Sequence, residues 1–204
     1  MSELHRALAE IKHIRCQVAR DSQFRGYGPA SVAASGALAL LVAAFQSHWL
    51  RNETDFHEFA AVWIATALFS LTIGAIQTMF RARRVHSGLA TEMVLAAAEQ
   101  FLPALVVGTL LTAVVLGVAP KEAWMLPGLW QLLFSLGVFA SCRFLPRVTF
   151  GIGIWYLISG LTTLVLQGQS PTLLPWTMGI PFGVGQLLVA AVFQYGYESY
   201  DEQA

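Results

Sequence analysis

Ala104-Leu-Val-Val-Gly-Thr-Leu-Leu-Thr-Ala-Val-Val-Leu116 contains no charge and no polar/apolar alternation. In lipid every backbone N–H and C=O must be satisfied internally, which leaves α-helices or closed barrels. A barrel strand alternates lumen-facing and lipid-facing residues over about ten positions. This run does not alternate, so it reads as a membrane-spanning helix.

Outward from that run, the apolar pattern continues back to His86 and on to Val118, 33 residues in all. One helix of that length would be about 50 Å long at 1.5 Å per residue, more than the roughly 30 Å of a hydrocarbon core. The expectation is a span over residues 101–118 with a cytoplasmic or interfacial extension over 87–100, which either projects from the membrane or turns at Pro103. Glu92 and Glu99 interrupt the extension seven residues apart, two helical turns on one face. Gln100 follows directly.

The rest of the chain repeats the pattern. It has 204 residues, 56% hydrophobic and 12% charged, about half the charge of an ordinary soluble domain. The charges are bunched, leaving charge-free gaps at residues 26–50, 59–80, 100–120, 123–142 and 148–197. At about 20 residues per span the first four gaps hold one helix each and the last holds two. The predicted fold is an all-α integral membrane protein with six spans, at 29–50, 59–80, 101–118, 124–142, 148–167 and 173–195. Residues 1–28 form a preceding cytoplasmic helix and turn, and residues 196–204 an acidic cytoplasmic tail.

Orientation follows from lysine and arginine. With the N-terminus inside, the inner segments hold Arg6, Lys12, Arg15, Arg20, Arg25, Arg81, Arg83, Arg84, Arg143 and Arg147, ten of the twelve; only Arg51 and Lys121 fall outside. Positive charge stays inside, so both termini are expected in the cytoplasm. The expected location is the plasma membrane, a bacterial inner membrane, without a cleaved signal peptide. Cys16 and Cys142 fall on the reducing side and spell no metal or redox spacing. A net charge of zero gives no reason to expect a nucleic-acid partner.

Candidate functional features lie at both faces. Residues 2–22 place Leu4, Ala7, Leu8, Ile11, Ile14 and Val18 on one helical face, suited to the headgroup layer, to a second copy of the chain or to a soluble cytoplasmic partner. Arg25, Arg81, Arg83, Arg84, Arg143 and Arg147 form an inner basic cluster that can pair with Glu92 and Glu99. In the first outer loop His48 and His57 can approach each other among acidic neighbours, a composition able to bind a divalent metal. Interfacial histidines at helix ends are the commoner use, so neither a metal nor a cofactor is expected.

Gly128-Leu-Trp-Gln131-Leu-Leu resembles Gly183-Val-Gly-Gln186-Leu-Leu, which raises a tandem-hairpin repeat of the kind seen in transporters. Gln131 and Gln186 are then candidate polar residues beneath glycine-rich turns, and Gly179 and Gly183 form a GxxxG spacing that permits close helix contact. No metalloprotease, nucleophile-elbow or phosphate-loop motif occurs. The leading expectation is therefore a non-enzymatic membrane protein acting through a cytoplasmic interaction surface. The alternative is a small carrier for a lipophilic or neutral solute, with Glu99 as a proton- or cation-coupled gate.

Overall fold

The computed structural model describes residues 29–49, 56–84, 88–142, 148–169 and 173–201, with side chains described over most of these. Described residues are helical apart from short connections, and no strand occurs among them. In chain order the helices are α1 (Pro29–Trp49), α2 (Phe56–Arg84), α3 (Gly88–Val118), a 3-10 turn (Pro120–Met125) leading into α4 (Leu126–Ser141), α5 (Thr149–Gln169) and α6 (Trp176–Asp201).

Among the described residues five stretches are long and apolar enough to cross a membrane: Ala30–Trp49, Phe56–Gln77, Leu95–Val118, Pro120–Ser141 and Thr149–Gln169. The apolar part of α6, Trp176–Val192, is shorter. Hydroxyls inside these helices bond back to their own backbone: Ser35 donates to the Val32 oxygen at 2.7 Å, Thr66 to Val62 at 2.7 Å and Thr109 to Leu105 at 2.9 Å. Such bonding lets a hydroxyl sit in an apolar segment at little cost.

Two boundaries bear on expectation. Of the two arrangements expected, a continuous helix and a turn at Pro103, the continuous helix is the one seen: α3 runs unbroken from Gly88 through Pro103. The helix can absorb a proline there because Pro103 and Glu99, whose carbonyl it leaves without a helical donor, are both exposed. Similarly α6 does not end at 195 but continues helical to Asp201, into the expected tail.

Packing is organised around close approaches of small residues. The most extensive contacts join α1 to α6, the first and last described helices, followed by α4 to α5 and α3 to α4. At the α1–α6 crossing a Cβ on Gly36 would sit 2.9 Å from the Gly183 carbonyl oxygen, and one on Gly179 would collide with Ala43. The GxxxG pair thus meets Ala39, Leu40 and Ala43 across the interface. In α4–α5 a Cβ on Gly160 would lie 2.9 Å from the Gly128 oxygen. Without a hydrophobic drive between helices in lipid, such backbone approach supplies van der Waals contact.

These contacts also fix direction. Gly36 meets Gly183 while Ala43 meets Gly179, so α1 and α6 are antiparallel. Ser141 donates to the Ala97 oxygen at 2.9 Å and Trp130 to Thr112 Oγ1 at 2.8 Å, so α3 and α4 are antiparallel too. Four rings tie the middle together. Phe134 of α4 meets Phe101 of α3 edge-on at 5.0 Å, Tyr156 of α5 at a tilt at 4.6 Å and Phe182 of α6 edge-on at 5.4 Å.

Away from this core, α2 and α3 are hardly covered: 17% and 6% of their apolar spans are buried, against 44% for Pro120–Ser141. Leu68, Phe69, Leu102, Leu110 and Val114 are all more than half exposed. A face so continuous and apolar is untenable in water and natural in lipid.

Candidate functional site

Pro181 is the residue from which the site is built. It lies inside α6 and has no N–H, so the carbonyl four residues earlier, Thr177, loses its helical donor. Gln131 of α4 supplies one instead: its Nε2 donates to the Thr177 oxygen at 2.8 Å. From α5, Gln167 Nε2 donates to Thr177 Oγ1 at 3.3 Å, and that hydroxyl donates in turn to the Leu174 oxygen at 2.7 Å. The start of α6 is thereby held from two helices. Just beyond it, Trp155 of α5 donates its Nε1 to the Pro181 oxygen at 3.0 Å.

The bond to Thr177 also orients the Gln131 amide. A carbonyl can only accept, so Nε2 must face Thr177 and Oε1 must face away. Gln131 is 0% exposed and its Oε1 has no hydrogen-bond partner. The same condition recurs on neighbouring helices. Gln46 of α1 is 2% exposed with neither amide atom paired, and Trp63 of α2 is 4% exposed with Nε1 unpaired. Tyr156 of α5 is 0% exposed with an unpaired hydroxyl.

Three of these groups belong to helices or clusters that adjoin the first turn of α6. Trp63 packs in the cluster with Ala39, Ala43, Phe59 and Met178, and Trp130 lies against it. Gln46 is one turn beyond Ala43, which meets Gly179. Gln131 reaches Thr177. Residues 177–179 are thus contacted from α1, α4 and α5, with Trp63 of α2 in the same cluster as Met178, and the unpaired atoms comprise two acceptors (Gln46 Oε1, Gln131 Oε1) and two donors (Gln46 Nε2, Trp63 Nε1). Buried polar atoms in native proteins are nearly always satisfied, and each unsatisfied one costs about 1–3 kcal/mol. The described charged side chains, Glu58, Glu99, Lys121 and Glu122, are all exposed. Among the described residues the site is therefore polar but uncharged.

The residues expected from sequence are distributed as follows. Gln131 is central. Gln186 is half-buried and lies beside the Tyr156 hydroxyl, although the two do not meet in hydrogen-bond geometry. Gln131 stands opposite Thr177, nine positions before Gln186, about 13 Å along a helix, so the two glutamines do not share one pocket. Glu99 and Gln100 are exposed on the outside of α3. Glu92, Arg81, Arg83 and Arg84 lie on helical backbone with side chains outside the described set, and Arg25, Arg143, Arg147 and residues 2–22 lie outside it altogether.

His48 and His57 are exposed at adjoining helix ends, and among the described residues no group of three or more His, Cys, Asp or Glu could hold a metal. Cys142, at the C-cap of α4, is a free thiol.

Gln46, Trp63, Tyr156, Gln167 and Thr177 were not anticipated. For Thr177 a signal existed: counting four back from Pro181 names the orphaned carbonyl. Comparison with protein-family models, with curated proteins and with solved structures returns no match.

Proposed function

We propose that this chain is a multi-pass membrane carrier that takes a small, uncharged, hydrogen-bonding solute into the helix bundle through the cluster around Thr177. The reading includes six spans with both termini in the cytoplasm, α6 being the sixth. That places the Gln46, Gln131 and Gln167 cluster toward the outer half of the bundle. Its principal support is the set of buried polar atoms on Gln46, Trp63 and Gln131 that have no partner among the described residues. A site built only for stability would place leucine or phenylalanine there, since replacing unmatched buried polar groups by apolar ones is neutral or better.

Solute class follows from the inventory. Amide oxygens require an O–H or N–H donor, while the indole N–H requires an acceptor. No described charged side chain is buried to neutralise an ion, and an unpaired ion inside a bilayer is prohibitively unfavourable. Neutral polyols and amides carry both donors and acceptors. The cytoplasmic interaction surface expected from sequence rests on residues 2–22 and on arginine side chains beyond those described, so the described cluster carries the conclusion.

The test is stopped-flow light scattering on proteoliposomes challenged with glycerol, urea or sodium chloride. Protein-dependent entry of a neutral solute, and none of the salt, is expected. Gln46→Leu and Gln131→Leu should each slow that entry about tenfold, the equivalent of one lost hydrogen bond. Entry equal in all three proteins, or no protein-dependent entry of glycerol or urea, would remove the proposal.

A further inference from the structure

Tyr156 stands apart from the cluster at Thr177. It is fully buried, its ring is held between Phe134 at 4.6 Å and Phe182 at 5.2 Å, and its hydroxyl has no hydrogen-bond partner among the described residues. Phenylalanine would fill the same ring site without desolvating a hydroxyl, so packing alone does not account for a tyrosine. The surrounding backbone is shaped to the hydroxyl as well. Gly185 faces it so closely that any Cβ there would collide with the oxygen. The Gln186 amide lies within reach of it but outside the geometry of a well-formed hydrogen bond. Gly36 of α1 makes room for the base of that glutamine, since a Cβ at Gly36 would come within 3.1 Å of the Gln186 Cβ.

Position along α6 separates this pair from the first cluster. Gln131 is opposite Thr177 and Tyr156 is opposite Gly185, eight residues apart or about 12 Å along the helix axis. Phe182 lies between those two positions on α6, and Phe134 one turn past Gln131 on α4. Their rings meet edge-on at 5.4 Å.

We propose that the Tyr156 hydroxyl and the Gln186 amide form a second hydrogen-bonding station for a neutral polyol or amide, and that the Phe134–Phe182 pair is the barrier between the two stations. The inference rests on the carrier reading and extends it from one site to a path. A phenol and a carboxamide each donate and accept, so the station suits a solute that exchanges one set of hydrogen bonds for another. Apolar rings between two polar stations resist water and ions while a small solute crosses one contact. Pro181, one residue from Phe182, removes a helical hydrogen bond where α6 would have to yield.

The experiment uses full-length protein in proteoliposomes with glycerol and urea as probes, alongside thermal unfolding of the same preparations. Wild type and Gln131→Leu first establish whether neutral entry is protein-dependent and passes through the Thr177 cluster. If it is not, the carrier reading falls and this inference with it.

Given such entry, Tyr156→Phe is expected to unfold at the same or a higher temperature than wild type while slowing entry about tenfold. Phe182→Leu is expected to speed entry several-fold. Gln186→Met provides a second reading of the station and should slow entry without altering the effect of Phe182→Leu. Unchanged entry in Tyr156→Phe, or a lowered unfolding temperature with entry per folded molecule unchanged, would make the hydroxyl structural and overturn the second station while leaving the first intact.

Discussion

Replacing Gln131 with leucine removes two things at once, and a double-mutant cycle with Pro181 separates them. The first is the Nε2 donor that satisfies the Thr177 carbonyl at 2.8 Å. The second is Oε1, which is buried without a partner. Loss of the donor leaves a buried carbonyl unsatisfied, about 1–3 kcal/mol, although measured side-chain bonds between membrane helices average nearer 0.6 kcal/mol with a maximum of about 1.7. Loss of Oε1 relieves a penalty of similar size. The single substitution is therefore expected to change stability by no more than about 1 kcal/mol in either direction.

Pro181→Ala changes the accounting. Alanine restores a backbone N–H that can bond Thr177 within α6, so in that background Gln131→Leu deprives no carbonyl of its donor. The two substitutions should couple by about 1–2 kcal/mol, the double variant being more stable than the sum of the singles allows. Reversible unfolding in mixed micelles, followed by tryptophan fluorescence, measures each corner. Solute entry should instead fall about tenfold on Gln131→Leu in both backgrounds, because Oε1 is lost in both. Additive stabilities within about 0.5 kcal/mol would refute the account of why Gln131 faces Thr177.

Three other expectations bear on the fold. Gly179→Ala drives a Cβ into Ala43 and should destabilise the α1–α6 pair by about 1–3 kcal/mol, with Ala43→Gly restoring most of the loss in the same unfolding assay. Gly117→Ala and Gly151→Ala, where a Cβ meets nothing within 4 Å, should be neutral or stabilise by up to about 1 kcal/mol through helix propensity. With Cys16→Ser and Cys142→Ser as the background, Ser2→Cys and Ala204→Cys should both react with an impermeant maleimide only from the cytoplasmic side. Labelling from opposite sides would mean five spans.

Five of the expected spans were legible because charge is excluded from lipid at high cost, so the intervals between charged residues outline helices directly. Pro103 left a turn and a continuous helix both open in the sequence, and at an exposed position α3 accommodates it without breaking. The continuation of α6 past 195 was hidden for a related reason: residues 196–201 lose the apolar signal but not the helix. The GxxxG pair was visible in the sequence, and its partner was not, since Ala39 and Ala43 lie about as far away along the chain as two spans can.

The site was legible only in part. Spans that are apolar all round have no polar face to reveal which of Gln46, Gln131, Gln167 and Gln186 points inward. Gln131 was reached through a resemblance to Gln186, yet its place is set by Pro181 and Thr177. Glu99 drew notice as a carboxylate near the membrane, and the described buried cluster contains no carboxylate.

The most direct measurement is an experimental density map of the protein in lipid nanodiscs, recorded with and without urea at high concentration. The account predicts solute density at hydrogen-bond distance, about 3 Å, from Gln131 Oε1 and from Gln46 or Trp63, lost in Gln131→Leu. A dry, closed packing of leucine and aromatic carbons around those atoms, the same in urea as without it, would contradict it.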